Sequence, residues 1–195
     1  SKWCGAGGWR LGTFCFPRDL DWLLEALAAV ASETYTSVCA PVQYAAVKAF
    51  RGGVDIERYL WHARRILAAL GNECAEILQQ AGVRVYAPAG AFYLFLDFEP
   101  FREPLARRGI TSGAELCGKL LEEAHVAILP GAAFSRSRTE LSARLAYVDF
   151  DGARALAASE KIPLHEPLPD DFTRQYCDGV IRGVEQIVVW LAAGM

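Results

Sequence analysis

Residues 55 to 80 carry an unbroken apolar stripe, and no other feature limits the fold as tightly. Ile56, Tyr59, Leu60, Ala63, Ile66, Leu67, Leu70, Cys74, Ile77 and Leu78 recur at helical spacing. At about 1.5 Å per residue such a helix is roughly 39 Å long, enough to run across two domains. Gly71-Asn72 is expected to bend it and Gly82 to end it. Beyond that point the period changes. Val83 to Tyr86 and Ala91 to Phe98 read as strands around the turn Pro88-Ala89-Gly90. In the second of these, Phe92, Leu94 and Leu96 alternate with Tyr93, Phe95 and Asp97, which predicts a strand largely covered on both faces.

The flanking segments fill in an α/β chain. On the N-terminal side, residues 8 to 16 alternate and read as a strand ending at Pro17. Leu20, Leu23, Leu24, Leu27 and Val30 predict a helix over 19 to 31. Pro41 fits the first turn of a second helix that Arg51-Gly52-Gly53 stops. On the C-terminal side, residues 99 to 111 read as a charged, proline-bearing loop. Ser112 with Glu115 three residues on is a capping box opening a helix to about Ala124. Val126 to Leu129 and Leu141 to Val148 read as strands, separated by a polar loop over 132 to 140. Residues 151 to 169 read as irregular or partly helical, and one helix is expected from Asp170 or Asp171 to about Ala193. A composition shift near residues 51 to 53 divides the chain into an incomplete piece, 1–53, and an α+β domain, 54–195.

Composition excludes several classes. The net charge is -3 and no basic face clusters, so nucleic acid is not an expected partner. No run of eighteen apolar residues is present, so neither is a membrane. The six cysteines, at 4, 15, 39, 74, 117 and 177, have no metal-type spacing. They are expected to be free, mostly buried thiols in a reducing, cytoplasmic setting, with no metal bound. The only methionine is Met195, and a chain opening on Ser1-Lys2 is expected to be the downstream part of something longer.

The first twelve residues hold the candidate chemistry. Lys2 and Arg10 stand eight positions apart among Gly5, Gly7, Gly8 and Gly12. Glycines let backbone approach a ligand closely. An amine and a planar fork of donors suit a carbonyl compound that also carries a phosphate. On composition alone, a flexible terminus with two solvated cations is the favoured reading.

Five ordered blocks change that balance. The run Lys2-(seven residues)-Arg10-Leu11-Gly12, with Gly5 and Gly8 in place, resembles the pyridoxal-phosphate lysine segment of class I/II aminotransferases of fold type I. Ser37 to Ala46, with Pro41, Gln43, Ala45 and Ala46, resembles the helix start that follows. Pro88-Ala-Gly-Ala-Phe-Tyr-Leu-Phe resembles the P-x-G-x-F-Y-L strand. Val126 to Phe134 resembles the V-x-x-x-P-G-x-x-F turn, and Leu141-Ser-Ala-Arg144-Leu-Ala-Tyr the strand carrying the substrate-carboxylate arginine. Two departures, Ala143 for a larger apolar residue and Ser135 for glycine, alter the expected pocket shape.

The resemblance implies a division of labour. Lys2 would be the catalytic amine that forms the Schiff base with the cofactor, pyridoxal 5'-phosphate, and then shuttles protons. Arg10 would hold the cofactor phosphate, and Arg144 the substrate α-carboxylate as a fork on a fork. Arg136 and Arg138 are expected on the surface, Phe92 and Tyr93 as core aromatics, and Tyr35 and Thr36 near a dimer interface without chemistry. Residues 1–53 would be a remnant of the large cofactor-binding domain, and 54–195 the small domain. The substrates would be an amino acid and a 2-oxo acid, and the parent a homodimer. Most of the cofactor apparatus would precede the lysine, so the isolated chain would be inactive without an N-terminal half. A β-lyase or decarboxylase of the same superfamily, or the aminotransferase-like sensor of a transcriptional regulator, would use the same residues.

Overall fold

The computed structural model describes residues 2–193. The chain divides into two compact units, one ending at Trp61 and the other beginning at His62.

The first unit is helical. Short 3-10 turns, Lys2–Cys4, Gly7–Trp9 and Arg18–Leu20, lead into α1, Asp21–Thr34, and α2, Ala40–Arg51. Pro41 sits in the first turn of α2, where its missing N–H costs nothing. The strand expected over residues 8 to 16 is not formed. An extended segment keeps its N–H and C=O groups paired only beside another strand, and the first unit contains none among the described residues. The alternating side chains are there, but Trp9 and Phe14 point to solvent. Neither α1 nor α2 buries a residue.

The long stripe forms α3, Val54–Gln80, and the division between the units falls within it. The helix runs through Gly71 without interruption. Gly71 serves packing: a Cβ there would stand 2.7 Å from Pro88 Cγ and 2.8 Å from the Tyr147 hydroxyl. The C-terminus closes as expected at Gly82, whose φ is +91°. The Val83 N–H donates to Leu78 O at 3.0 Å and the Gly82 N–H to Gln79 O at 2.9 Å, which is a Schellman cap.

The second unit packs helices on a small antiparallel sheet of order β1-β3-β2, with β1 at Tyr93–Asp97, β2 at Leu129–Pro130 and β3 at Ser142–Ala146. The strand expected over 83 to 86 is reduced to a single bridge, Arg84 to Asp97. Leu94 and Leu96 of β1 and Ala143 and Leu145 of β3 face the core, with Leu70 and Leu78 of α3. The opposite face is more open than the alternation predicts, and Phe95 is 42% exposed. The expected loop over 99 to 111 contains a helical turn, α4, Arg102–Arg107. The capping box forms as read: Glu115 N donates to Ser112 Oγ, and the Glu115 carboxylate accepts from Ser112 N, opening α5 at Gly113–Ala124. After α6, Gly152–Ser159, the expected final helix is broken at Cys177 into α7, Phe172–Tyr176, and α8, Asp178–Ala192. No helix among the described residues is long and apolar enough to cross a membrane.

Candidate functional site

The Lys2–Gly12 stretch folds as two tight turns. Gly5, at φ +72°, donates its N–H to Lys2 O at 3.2 Å, and Trp9 N–H donates to Ala6 O at 3.0 Å. Glycine is required at position 5 twice over. Its φ is left-handed, and the Tyr59 hydroxyl of α3 occupies the space that a Cβ would need. Burial, and then the nearby Cys4, holds the Tyr59 phenol above its usual range. Gly8 and Gly12 have open space around them.

Both cations of the stretch rest on Gly7. Arg10, at φ 55°, turns back so that its Nη1 donates to Gly7 O at 3.1 Å. The stem of Lys2 passes close by, its Cγ 3.7 Å from a Cβ built on Gly7. Both side chains are exposed. The donor set, an amine on the first turn and a guanidinium closing the second, suits a ligand carrying an aldehyde and a phosphate.

Two open hollows flank α2. One, of about 340 Å³, is walled by Trp3, Trp9, Val42, Ala45 and Ala49. The other, of about 620 Å³, is walled by Tyr35, Val38, Gln43, Val47 and Arg51. Leu11, Ala46 and Phe50 line both. Lys2 and Arg10 line neither, and Tyr35 and Thr36 are exposed.

In the second unit, Arg144 is central on the outer face of the sheet. On β3 it lies opposite Phe95 of β1 and Leu129 of β2. Its guanidinium carbon sits 4.1 Å from the Phe134 ring centre and 4.3 Å from that of Tyr93. Phe134 in turn meets Phe95 edge-on, with centroids 6.4 Å apart. The Nε of Arg144 is buried and has no hydrogen-bond partner. Among the described residues no carboxylate pairs with it, whereas its neighbour Arg136 is taken by Glu140 at 2.9 Å, as a surface arginine should be. A buried donor without an acceptor costs about 1–3 kcal/mol, and the rings of Tyr93 and Phe134 lie against the planar fork. A guanidinium with an unpaired donor suits a planar carboxylate.

Tyr93 departs from its expected role as a core aromatic: it is half-buried and stacks on Arg144. The signal was in the strand register, since Tyr93 lies opposite Ala146 and so diagonal to Arg144. Tyr59 belongs to the apolar stripe in the sequence, and its place against Gly5 has no sequence signal. Three cysteines, 74, 117 and 177, are buried as expected, but Cys15 and Cys39 are exposed and Cys4 is half-buried. Among the described residues no cluster could hold a metal ion.

Comparison with known proteins gives consistent results. The family model for aminotransferase class I and II matches residues 1–153. The aspartate aminotransferase of Geobacillus stearothermophilus is 32% identical over 128 residues, which is 65% of this chain and 30% of that protein. The aspartate aminotransferase of Rhizobium meliloti is 32% identical over 142 residues, 70% of this chain and 33% of its own length. The chain thus spans about a third of the curated relatives it matches. Among solved structures, an aromatic aminotransferase from Pyrococcus horikoshii superposes with a TM-score of 0.66 at 22% identity, over 97% of this chain and 40% of that one. The aspartate aminotransferase of Thermotoga maritima gives 0.58 at 21% identity, over 96% and 37%. At such identities these structures speak to the fold alone.

Proposed function

The chain belongs to the class I and II aminotransferase family, and we propose that it is the C-terminal part of an enzyme that moves an amino group between an amino acid and a 2-oxo acid. The observation that carries this reading is Arg144, a guanidinium held between two rings with its buried Nε lacking an acceptor. A substrate carboxylate supplies that acceptor. Pyridoxal 5'-phosphate, when bound, supplies the electron sink for the chemistry at the amino carbon. The chain's own residues do the rest. Lys2 is the amine that would hold the cofactor through its aldehyde, and its Nζ would hold and return the proton. Arg10 balances the phosphate. Arg144 orients the substrate, so that the bond to be broken is presented in one direction.

In this reading residues 1–53 are a remnant of the large cofactor-binding domain and 54–195 the small domain. The whole protein is a cytoplasmic homodimer, a setting that suits the buried thiols of Cys74, Cys117 and Cys177. The exposed Lys2 and Arg10 gain their pocket only from an N-terminal half, so the isolated chain is inactive. The test uses the chain alone and the chain supplied with that half. With pyridoxal phosphate the chain alone shows neither a visible cofactor band nor turnover. The complemented protein transfers amino groups, and Lys2→Ala abolishes this. Turnover by the isolated chain would overturn the incompleteness, and turnover surviving Lys2→Ala would overturn the role of Lys2. Product analysis with several amino acids separates amino transfer from β-elimination and decarboxylation.

A further inference from the structure

The outer face of the sheet in the second unit carries one row of three side chains, one from each strand. Phe95 of β1, Arg144 of β3 and Leu129 of β2 stand side by side in register. The two apolar members remain largely in water, Phe95 at 42% and Leu129 at 49% exposure. The cation between them is kept from turning away by the rings of Tyr93 and Phe134. One end of this face is acidic. Asp97 lies opposite Ser142, two positions along from the row. The Ser142 hydroxyl in turn stands 3.4 Å from the Glu140 carboxylate. Asp97 already meets Arg84 at 3.5 Å, and Glu140 meets Arg136 at 2.9 Å.

We infer that the carboxylate held at Arg144 belongs to a molecule with an apolar side chain, an aryl one above all: an amino acid of that class and its 2-oxo acid, and not a dicarboxylate. The inference rests on the functional reading above and narrows its substrate. One carboxylate supplies the acceptor that the buried Nε of Arg144 lacks. The rest of the ligand then lies across Phe95 or Leu129, and covering those groups removes apolar surface from water. A single charged anchor with apolar walls fixes both the position and the class of a small ligand. A second carboxylate gains nothing from a phenyl or an isobutyl group, and towards Ser142 it approaches two acids. That like-charge contact discriminates against it.

The test titrates the isotope-labelled full chain, without cofactor, with propionate, hydrocinnamate and glutarate. It reads the Nε–Hε signal of Arg144, assigned by its loss in Arg144→Gln. The expected result is that hydrocinnamate shifts this signal with an affinity at least tenfold tighter than either of the others. Phe95→Ser, at an exposed position, brings hydrocinnamate to within threefold of propionate and leaves propionate unchanged. Arg138 is exposed on the loop between Phe134 and β3, where a dicarboxylate would recruit it, so Arg138→Ala is expected to leave the order of the three as it is. Equal affinities for propionate and hydrocinnamate, or glutarate binding tightest, overturn the inference and leave Arg144 its carboxylate. So does a preference for hydrocinnamate that Phe95→Ser and Leu129→Ser both leave intact. A signal that none of the three moves removes the carboxylate site, and with it the functional reading as well.

Discussion

Arg144 lies with its guanidinium carbon 4.1 Å from the ring centre of Phe134 while its buried Nε finds no acceptor. The two residues come from different elements, β3 and the turn that precedes it. Replacing Arg144 by Lys keeps the charge and loses the planar fork. In the complemented enzyme this raises KM for the 2-oxo acid at least tenfold, about 1.4 kcal/mol. Phe134→Leu raises it severalfold through the lost stacking, worth about 0.5–2 kcal/mol. Unchanged KM values in both variants would remove Arg144 from the binding role.

Gly71→Ala tests the packing of α3. In an open helix this change stabilises by about 1 kcal/mol. Here the added methyl meets Pro88 and the Tyr147 hydroxyl. The expected outcome in urea unfolding is a loss of about 1–3 kcal/mol. A gain would show that Gly71 is not held against its neighbours.

Arg65 clamps the end of α6. Its Nε donates to Ser159 Oγ at 2.8 Å, Nη2 to the carbonyls of Ser159 and Ile162, and Nη1 to Pro163 O at 3.1 Å. The buried His62 ring also bonds Ser159 Oγ, at 2.8 Å. Arg65→Ala leaves several carbonyls to water and costs about 2–4 kcal/mol. Trypsin is expected to cut after Lys161 at least tenfold faster in the variant, read by intact mass against time.

Stability should fall in acid. Hydrogen bonds from Thr111 and Ser112 hold the Glu115 carboxyl below its usual range. Arg102 does the same for Glu99, and Trp190 for Glu123. Each of these groups binds its proton more readily when unfolded. Their contribution is therefore complete above the unfolded value near 4.5 and is lost as pH falls through the lower folded values. Glu115→Gln flattens that part of the profile in thermal melts recorded from pH 3 to 7. A profile identical to the unmodified chain would show that the capping box carries no charge-dependent stability.

The thiols should separate into two classes. Burial pushes Cys74 up to about 12, and Cys117 and Cys177 up to about 11. Only the thiolate reacts. Iodoacetamide at pH 8 is expected to label Cys15 and Cys39 first, Cys4 more slowly, and the other three only on unfolding. Peptide mapping after timed quenching checks the order.

The local features were legible because their causes are local. The α3 stripe needs only a period of 3.6, the Ser112–Glu115 cap only a spacing of three, and Gly82 only a chain that must turn left-handed. Lys2, Arg10 and Arg144 stood out as chemical types at recognisable spacings. What surrounds them did not, since it is contributed from elsewhere. Tyr59 reaches Gly5 from α3, and Tyr93 reaches Arg144 across the sheet. Residues 8–16 show the same limit from the other side. Their sequence specifies a strand's side-chain pattern, and a strand exists only where a neighbour pairs its backbone. By itself, then, the sequence determined which segments carry a helical stripe, where they cap and which chemical groups stand at recognisable spacings, all set within a few residues of backbone. Tertiary structure alone decided which rings hold Arg144, which glycine is too crowded for a methyl and which apolar faces stay open, because those depend on atoms brought together from distant parts of the chain.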